Sequence, residues 1–248
     1  MLFDVHCHLN DRRYKRDLNE VVGRAAEAGV IAVNSTVELS EVDEALSFCE
    51  RYGNVRLTIG CSPTEFDDRN IEGIAKRMRE NRGRIIGVGE VGLDHYWVRE
   101  EGRRMAQERN FVKFVEISDE LKLPLVVHSR ESNKEVLDIL SRRGKTALMH
   151  CFSGTVEEAE EFIGIGCLIS IPTSVVHSKA RQELVKRIPL DTMTLETDAP
   201  YMAPEPKARN EPANVKTSAR KIAELRNTDY GTVEEVTTRN AKRFFKIP

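Results

Sequence analysis

The sequence predicts an α/β chain folded as a (β/α)8 TIM barrel. Three observations predict it. Eight short runs rich in Val, Ile and Leu recur along the chain. Amphipathic stretches with helical spacing separate them. The length, 248 residues, is ordinary for one such barrel.

The runs come in order. They are MLFDVH at the start, IAVNSTV from Ile31, VRLTIG from Val55 and RIIGVGEVG from Arg84. PLVVHS from Pro124, TALMHCF from Thr146, CLISIP from Cys167 and MTLETD from Met193 follow. Nearly continuous apolar runs suit strands buried on both faces of a parallel sheet. A doubly wound open sheet shares this rhythm and is the rival fold.

Between the runs, Val42, Ala45, Leu46 and Cys49 fall on one helical face, as do Val156, Ala159, Phe162 and Ile163. Capping boxes are expected at Ser132 with Glu135, Thr155 with Glu158 and Thr232 with Glu235. The stretch from Ala199 to Pro212 is the longest irregular piece. It follows the last strand, which marks it as a loop over a site rather than a linker. With no linker and no repeat, residues 1–248 read as a single domain.

Charged residues make up 31% of the chain and the net charge is −2, so no global basic field marks a nucleic-acid partner. Polyanions would need a local patch or a metal. Five scattered cysteines, none in a CxxC pair, point to free thiols and a reducing compartment. No leader with an apolar core opens the chain, and no apolar run nears the roughly 20 residues of a membrane span. A cytoplasmic protein is expected, with no membrane and no obligate protein partner.

The rare residues have a pattern. Strand alternation puts His6 and His8 on one face, with Asp4, and Cys7 on the other, toward the helices. Glu90 lies in the fourth run, while His128, His150 and Asp198 end the fifth, sixth and eighth. In a barrel all strand C-termini meet on one rim, where catalytic groups sit. Each residue has a plainer reading. A lone histidine is more often a hydrogen-bonded structural residue, Glu90 could be a buried acid paired with an arginine, and Asp198 could cap a turn. Asp4 lies deeper and is expected to orient a histidine. The shared rim is what those readings leave unexplained.

Imidazoles and carboxylates suit Zn, Mn, Ni or Co, and carboxylates also Mg. Six donors exceed what one four-coordinate zinc needs. Two divalent metal ions (Mg, Mn or Zn) are expected, with Glu90 able to bridge. Two ions roughly 3.5–4 Å apart can clamp the attacking and leaving oxygens of a displacement.

The motifs FDVHCHL, GEVGLD, VVHSR, HCFSG, ETDAPYMAP and RNEPANV, in this order, resemble the TatD family of metal-dependent deoxyribonucleases in the amidohydrolase superfamily. The resemblance runs from Leu2 to about Phe245. It implies a two-metal barrel that hydrolyses phosphodiesters, often as a 3′-to-5′ exonuclease. It implies that His6, His8 and Asp198 hold one metal, that Glu90 bridges, and that His128 and His150 hold the other. Asp198 would also orient or deprotonate the attacking water, with Glu90 and Asp198 the catalytic pair. No lysine stands where relatives elsewhere in the superfamily use a carboxylated bridge, in keeping with Glu90 in that role.

One departure matters. The family commonly shows G-x-H-P after the third strand, and here Gly60, Cys61, Ser62, Pro63 stand instead. Ser62 replaces a histidine thought to hold the substrate phosphate, so slower hydrolysis or a changed substrate is expected. His95, where the family often has tyrosine, is expected at the pocket mouth.

A DNA substrate with single-stranded ends is the expected partner. Arg130 is placed to fork onto a phosphate, and Ser153 with Gly154 is expected to open a helix whose amides receive an anion. Tyr96 and Trp97 are either base-stacking or packing residues. The loop bearing Arg12, Arg13, Lys15 and Arg16 is either a phosphate contact or a solvated helix start. Arg209 and Glu211 are expected to close the late loop through a salt bridge. Two other readings compete. One is a hydrolase of amides or small phosphoesters, which Ser62 keeps open. The other is a degenerate metal-binding barrel, which six intact ligand positions oppose.

Overall fold

The computed structural model describes residues 1–247. Its eight strands are β1 (Leu2–Cys7), β2 (Val30–Thr36), β3 (Val55–Ile59), β4 (Gly87–Asp94), β5 (Leu125–Arg130), β6 (Leu148–Met149), β7 (Leu168–Pro172) and β8 (Met193–Glu196). They lie side by side in chain order, every pair parallel. The ring closes where Cys7 bridges Ala199, as His8 N donates to Ala199 O (2.7 Å) and Asp198 N to His6 O (3.0 Å). This is a (β/α)8 barrel, and the open-sheet rival falls away.

The connecting helices are α1 (Leu18–Glu27), α2 (Val42–Arg51), α3 (Asp68–Glu80), α4 (Glu101–Leu121), α5 (Asn133–Arg142), α6 (Val156–Gly164), α7 (Lys179–Arg187) and α8 (Val215–Arg226). A final helix, α9 (Tyr230–Phe245), closes the floor. Its Ala241 and Phe245 pack with Phe3, Val5, Val33, Val126 and Leu148. Strands on opposite sides of the ring bring these side chains together only in the lumen. The main apolar core lies outside the sheet, where Leu57, Ile59, Val88 and Val127 meet helix residues such as Ile74 and Phe114.

Local chemistry departs from expectation in places. Thr155 caps α6 in a full box, accepting from Glu158 N (3.2 Å) while Glu158 Oε2 accepts from Thr155 N (2.8 Å). Ser132 makes no such box, because its hydroxyl donates to Leu93 O at 3.0 Å. Nor does Thr232: α9 starts earlier, capped by Asp229, whose carboxylate takes Thr232 N at 2.8 Å. Asp4 does not share the histidine face. Phe3 and Val5 point into the lumen, and the β1–β2 register shifts between Asp4 and Cys7. Such a bulge reverses the alternation. Asp4 is left at the β1–β8 seam, accepting from Thr197 N (2.7 Å) and Thr197 Oγ1 (2.5 Å). Cys7 does face the helices, beside Tyr14, Val21 and Val22.

Candidate metal centre

The rim gathers six donors from five of the barrel's strands or the turns just beyond them. His6 and His8 come from β1 and the residue after it, Glu90 from β4 and His128 from β5. His150 and Asp198 follow β6 and β8 by one and two residues. Asp198 takes the left-handed conformation, φ +52°, as its amide is drawn onto His6 O. Such sparsely populated backbone recurs at functional sites.

Glu90 stands between two groups. Its Oε2 is 3.1 Å from His6 Nε2 and 3.7 Å from His8 Nε2. Its Oε1 is 3.1 Å from His128 Nδ1 and 3.5 Å from His150 Nε2. Asp198 Oδ1 completes the first group, 3.5 Å from His8 Nε2 and 3.9 Å from His6 Nε2. One donor atom each from His6, His8 and Asp198 lies within 4.8 Å of the others, and the same holds for His6, Glu90 and His150.

Glycines let the backbones approach this closely. A Cβ on Gly60 would fall 2.0 Å from Glu90 O, and one on Gly92 (φ +150°) 2.0 Å from His128 O. Any side chain at either place would push a donor-bearing strand aside.

The donor set fits divalent cations. His8 Nδ1 lies 3.1 Å from Ser35 O, which can only accept, so Nδ1 carries a proton and Nε2 offers its lone pair inward. His128 Nε2 lies 2.9 Å from Asp94 Oδ2, which turns Nδ1 inward in the same way. Imidazoles thus backed by an acceptor are typical metal ligands. The inward nitrogens oppose each other at 3.2 Å in both pairs, His6 with His8 and His128 with His150. A cation or a proton must sit among them. Without a cation, burial pushes His8 down, but the hydrogen bond to Asp198 and the charges of Glu90 and Asp198 outweigh it and raise it to about 9. Burial likewise pushes Glu90 up. The His150 charge and hydrogen bonds from His128, His150 and His6 outweigh it and hold Glu90 well below the carboxylate range.

Sequence reasoning missed the supporting groups. Asp94 was visible as the D of GEVGLD, four residues after Glu90 on the same face. Glu196 was not singled out either. It is wholly buried, with neither carboxylate oxygen hydrogen-bonded, and its Oε1 lies 3.6 Å from His150 Nδ1.

The expected substrate residues sit around this cluster, outside it. Ser62 Oγ pairs with Thr64 Oγ1 at 2.8 Å and accepts from Thr64 N at 3.2 Å, closing a local turn. Ser153 is exposed and lies before the helix, which Thr155 opens instead. Arg130 is exposed at the end of β5, its guanidinium 3.8 Å from the Tyr96 ring centre. His95 is buried, its N bound to Arg130 O at 2.9 Å. Arg209 and Glu211 do not pair with each other. Arg209 Nη1 reaches Asp17 at 2.7 Å and Glu211 takes Arg24 Nη2 at 2.6 Å, so both tie the late loop to α1 and the residue before it. Between them, buried Asn210 donates to Thr197 O and Tyr201 O, each at 2.8 Å. The first loop holds one short turn, Arg12–Tyr14. Tyr14 is buried in it and donates to Asn210 O, while Arg12, Lys15 and Arg16 are exposed.

Among the described residues, no helix is long and apolar enough to cross a membrane. The family model described as TatD related DNase matches residues 3–246. An uncharacterized metal-dependent hydrolase of Methanocaldococcus jannaschii is 36% identical, over 98% of this chain and 96% of its own. A 3′-5′ ssDNA/RNA exonuclease TatD of Cronobacter sakazakii is 31% identical, over 98% of this chain and 97% of its own. The crystal structure of YjjV, a TatD homolog from Escherichia coli K12, superposes with a TM-score of 0.91 at 23% identity, covering 100% of this chain and 98% of that one. That last likeness is one of fold.

Proposed function

From the premise that this chain belongs to the TatD related DNase family, and is a metal-dependent hydrolase acting on ester bonds, we propose a nuclease with a two-metal site. It cleaves DNA phosphodiesters and trims single-stranded 3′ ends. The observation that carries the reading is the two-sided placement of Glu90, one oxygen to each donor group. The exonuclease action and the unpaired substrate rest on the likeness to the Cronobacter enzyme.

In this reading His6, His8 and Asp198 would hold one divalent cation and His128 and His150 a second, with Glu90 offering one oxygen toward each group. Mg, Mn or Zn suits such donors. When bound, the cations supply positive charge that polarises the phosphodiester and acidifies water. The chain's own residues do the rest. The Asp198 carboxylate, through the oxygen not turned to the histidines, orients the attacking water and takes its proton. Glu90 fixes the spacing of the two groups. Asp94 and Ser35 hold His128 and His8 in the tautomers that face inward. Arg130 forks onto a phosphate, and the Ser153 hydroxyl and Ser62 offer neutral hydrogen bonds at the rim.

The test is release of label from a 3′-labelled single-stranded oligonucleotide with Mg or Mn, wild type against Asp198→Asn. Release by the wild type alone supports the reading. Absence of release by metal-loaded wild type refutes it and turns attention to amides and small phosphoesters, the second reading that Ser62 favours.

A further inference from the structure

Large apolar side chains left exposed among the described residues are few: Met1, Trp97, Met105, Tyr201 and Met202. Three of them, Trp97, Tyr201 and Met202, lie in the loops that follow β4 and β8, at the rim of the metal centre. An aromatic ring used for packing would be buried. Trp97 is 68% exposed and Tyr201 48%.

Each ring is tied to a different end of the donor row. Trp97 N donates to Asp94 Oδ1 at 2.9 Å, and Asp94 Oδ2 lies 2.9 Å from His128. Tyr96 meets Trp97 edge to face, with centres 4.9 Å apart. The Arg130 guanidinium lies 3.8 Å from the Tyr96 ring centre and 5.9 Å from that of Trp97, and it makes no ion pair among the described residues. At the other end Tyr201 N donates to Asp198 O at 2.7 Å, and the Tyr201 ring centre is 6.2 Å from that of His8. The Arg13 guanidinium lies 4.2 Å from the Tyr201 ring centre, anchored by Asp11 at 2.8 Å. Asn210 pins the same loop from beneath.

We propose that Trp97, Tyr96 and Arg130 form one base-stacking subsite and Tyr201 with Arg13 a second, so that an unpaired strand crosses the centre with a base held at each end. The inference rests on the nuclease reading above and sharpens it. Nucleobases stack on aromatic faces whatever their sequence, and guanidinium groups add charge and planarity. Duplex DNA keeps its base faces inside the stack, so it offers nothing to either platform. Amides and small phosphoesters have no such face at all. The unpaired charge of Arg130 beside the first platform suits the phosphate that accompanies each base.

Trp97 is the only tryptophan in the chain, so its emission reports directly on this subsite. The experiment titrates full-length Asp198→Asn protein, with Mg, against a ten-nucleotide oligothymidylate and against a blunt duplex of equal length. Saturable quenching by the single strand alone supports the proposal. Tyr201→Ala in the same background then weakens the apparent affinity by roughly tenfold, the scale of one lost stacked base. In catalytically competent protein, Trp97→Ala raises the oligonucleotide KM by a similar factor, and Trp97→Phe restores most of it. If the wild type cleaves the oligonucleotide while the emission, the Tyr201→Ala affinity and the Trp97→Ala KM all stay unchanged, the subsites are refuted and the nuclease reading stands. Quenching without cleavage by the wild type upholds the subsites and removes the nuclease reading. Neither quenching nor cleavage overturns both.

Discussion

Glu196 Oε1 lies 3.6 Å from His150 Nδ1, and neither atom has a hydrogen-bond partner. A buried carboxylate beside an unpartnered ring nitrogen is the arrangement that orients a metal-binding imidazole. Glu196→Ala is expected to weaken the second cation's binding by about 10- to 100-fold. Glu196→Gln keeps an acceptor and loses less. Calorimetric titration of metal-depleted protein with Mn separates the variants.

His6 and Glu90 differ in reach. Glu90 sends one oxygen to each donor group, whereas His6, within reach of both triads, offers Nε2 alone. Metal analysis of His6→Ala, or of His8→Ala, should find about one equivalent lost, with the fold intact by circular dichroism. Glu90→Ala should lose both. Global unfolding of the His6 and His8 variants would instead make the metal structural.

Ser62 follows Gly60 and Cys61, and Cys61 N donates to Glu90 O at 2.9 Å. A histidine placed there adds a longer and chargeable donor beside the centre. Ser62→His is expected to raise kcat/KM on an oligonucleotide by roughly tenfold, within the range of one added hydrogen-bonding group. An unchanged rate would remove this position from phosphate contact.

Metal-free protein should show a distinctive pH profile. His8 is raised from 6.5 to about 9, so its stabilising contribution is complete below 6.5 and is lost as pH climbs through 9. Glu90 and Asp198 are held below their ordinary values, so theirs is lost only as pH falls through the acid range. Melting temperature with chelator should therefore decline from pH 6.5 to 9. With Mn present the trend should reverse over that window, because ligand imidazoles must be neutral.

Phe245 fills the barrel floor at 4% exposure, against lumen residues of four strands. Phe245→Ala is expected to cost about 3–5 kcal/mol in denaturant unfolding, from lost burial and a cavity. The centre at the opposite end should still bind its metals in the folded fraction.

The barrel and the six donors were legible because rare residue types stood at the ends of apolar runs, and a barrel gathers those ends. Asp94 was equally legible in principle, alternating with Gly92 and Glu90. The reversal at Asp4 was not. It depends on Thr197, 193 residues away, which no local periodicity reports. The capping boxes at Ser132 and Thr232 failed for a related reason: Leu93 O and Asp229 offered partners that spacing alone does not reveal. Arg209 and Glu211, two apart in a motif, were read as each other's partner, yet Asp17 and Arg24 supplied the opposite charges.

The seam between β1 and β8 runs through the ligands themselves, with Asp198 N on His6 O and His8 N on Ala199 O. The first and last strands thus meet at the same atoms that assemble the centre. During synthesis His6 and His8 emerge before Asp198 and must wait for it, almost two hundred positions later. Until the hoop shuts there is no complete pocket to load, and an ion held there would act as its buckle. Occupancy is in this sense a certificate of topological completion, issued only to chains whose first and last strands have found each other.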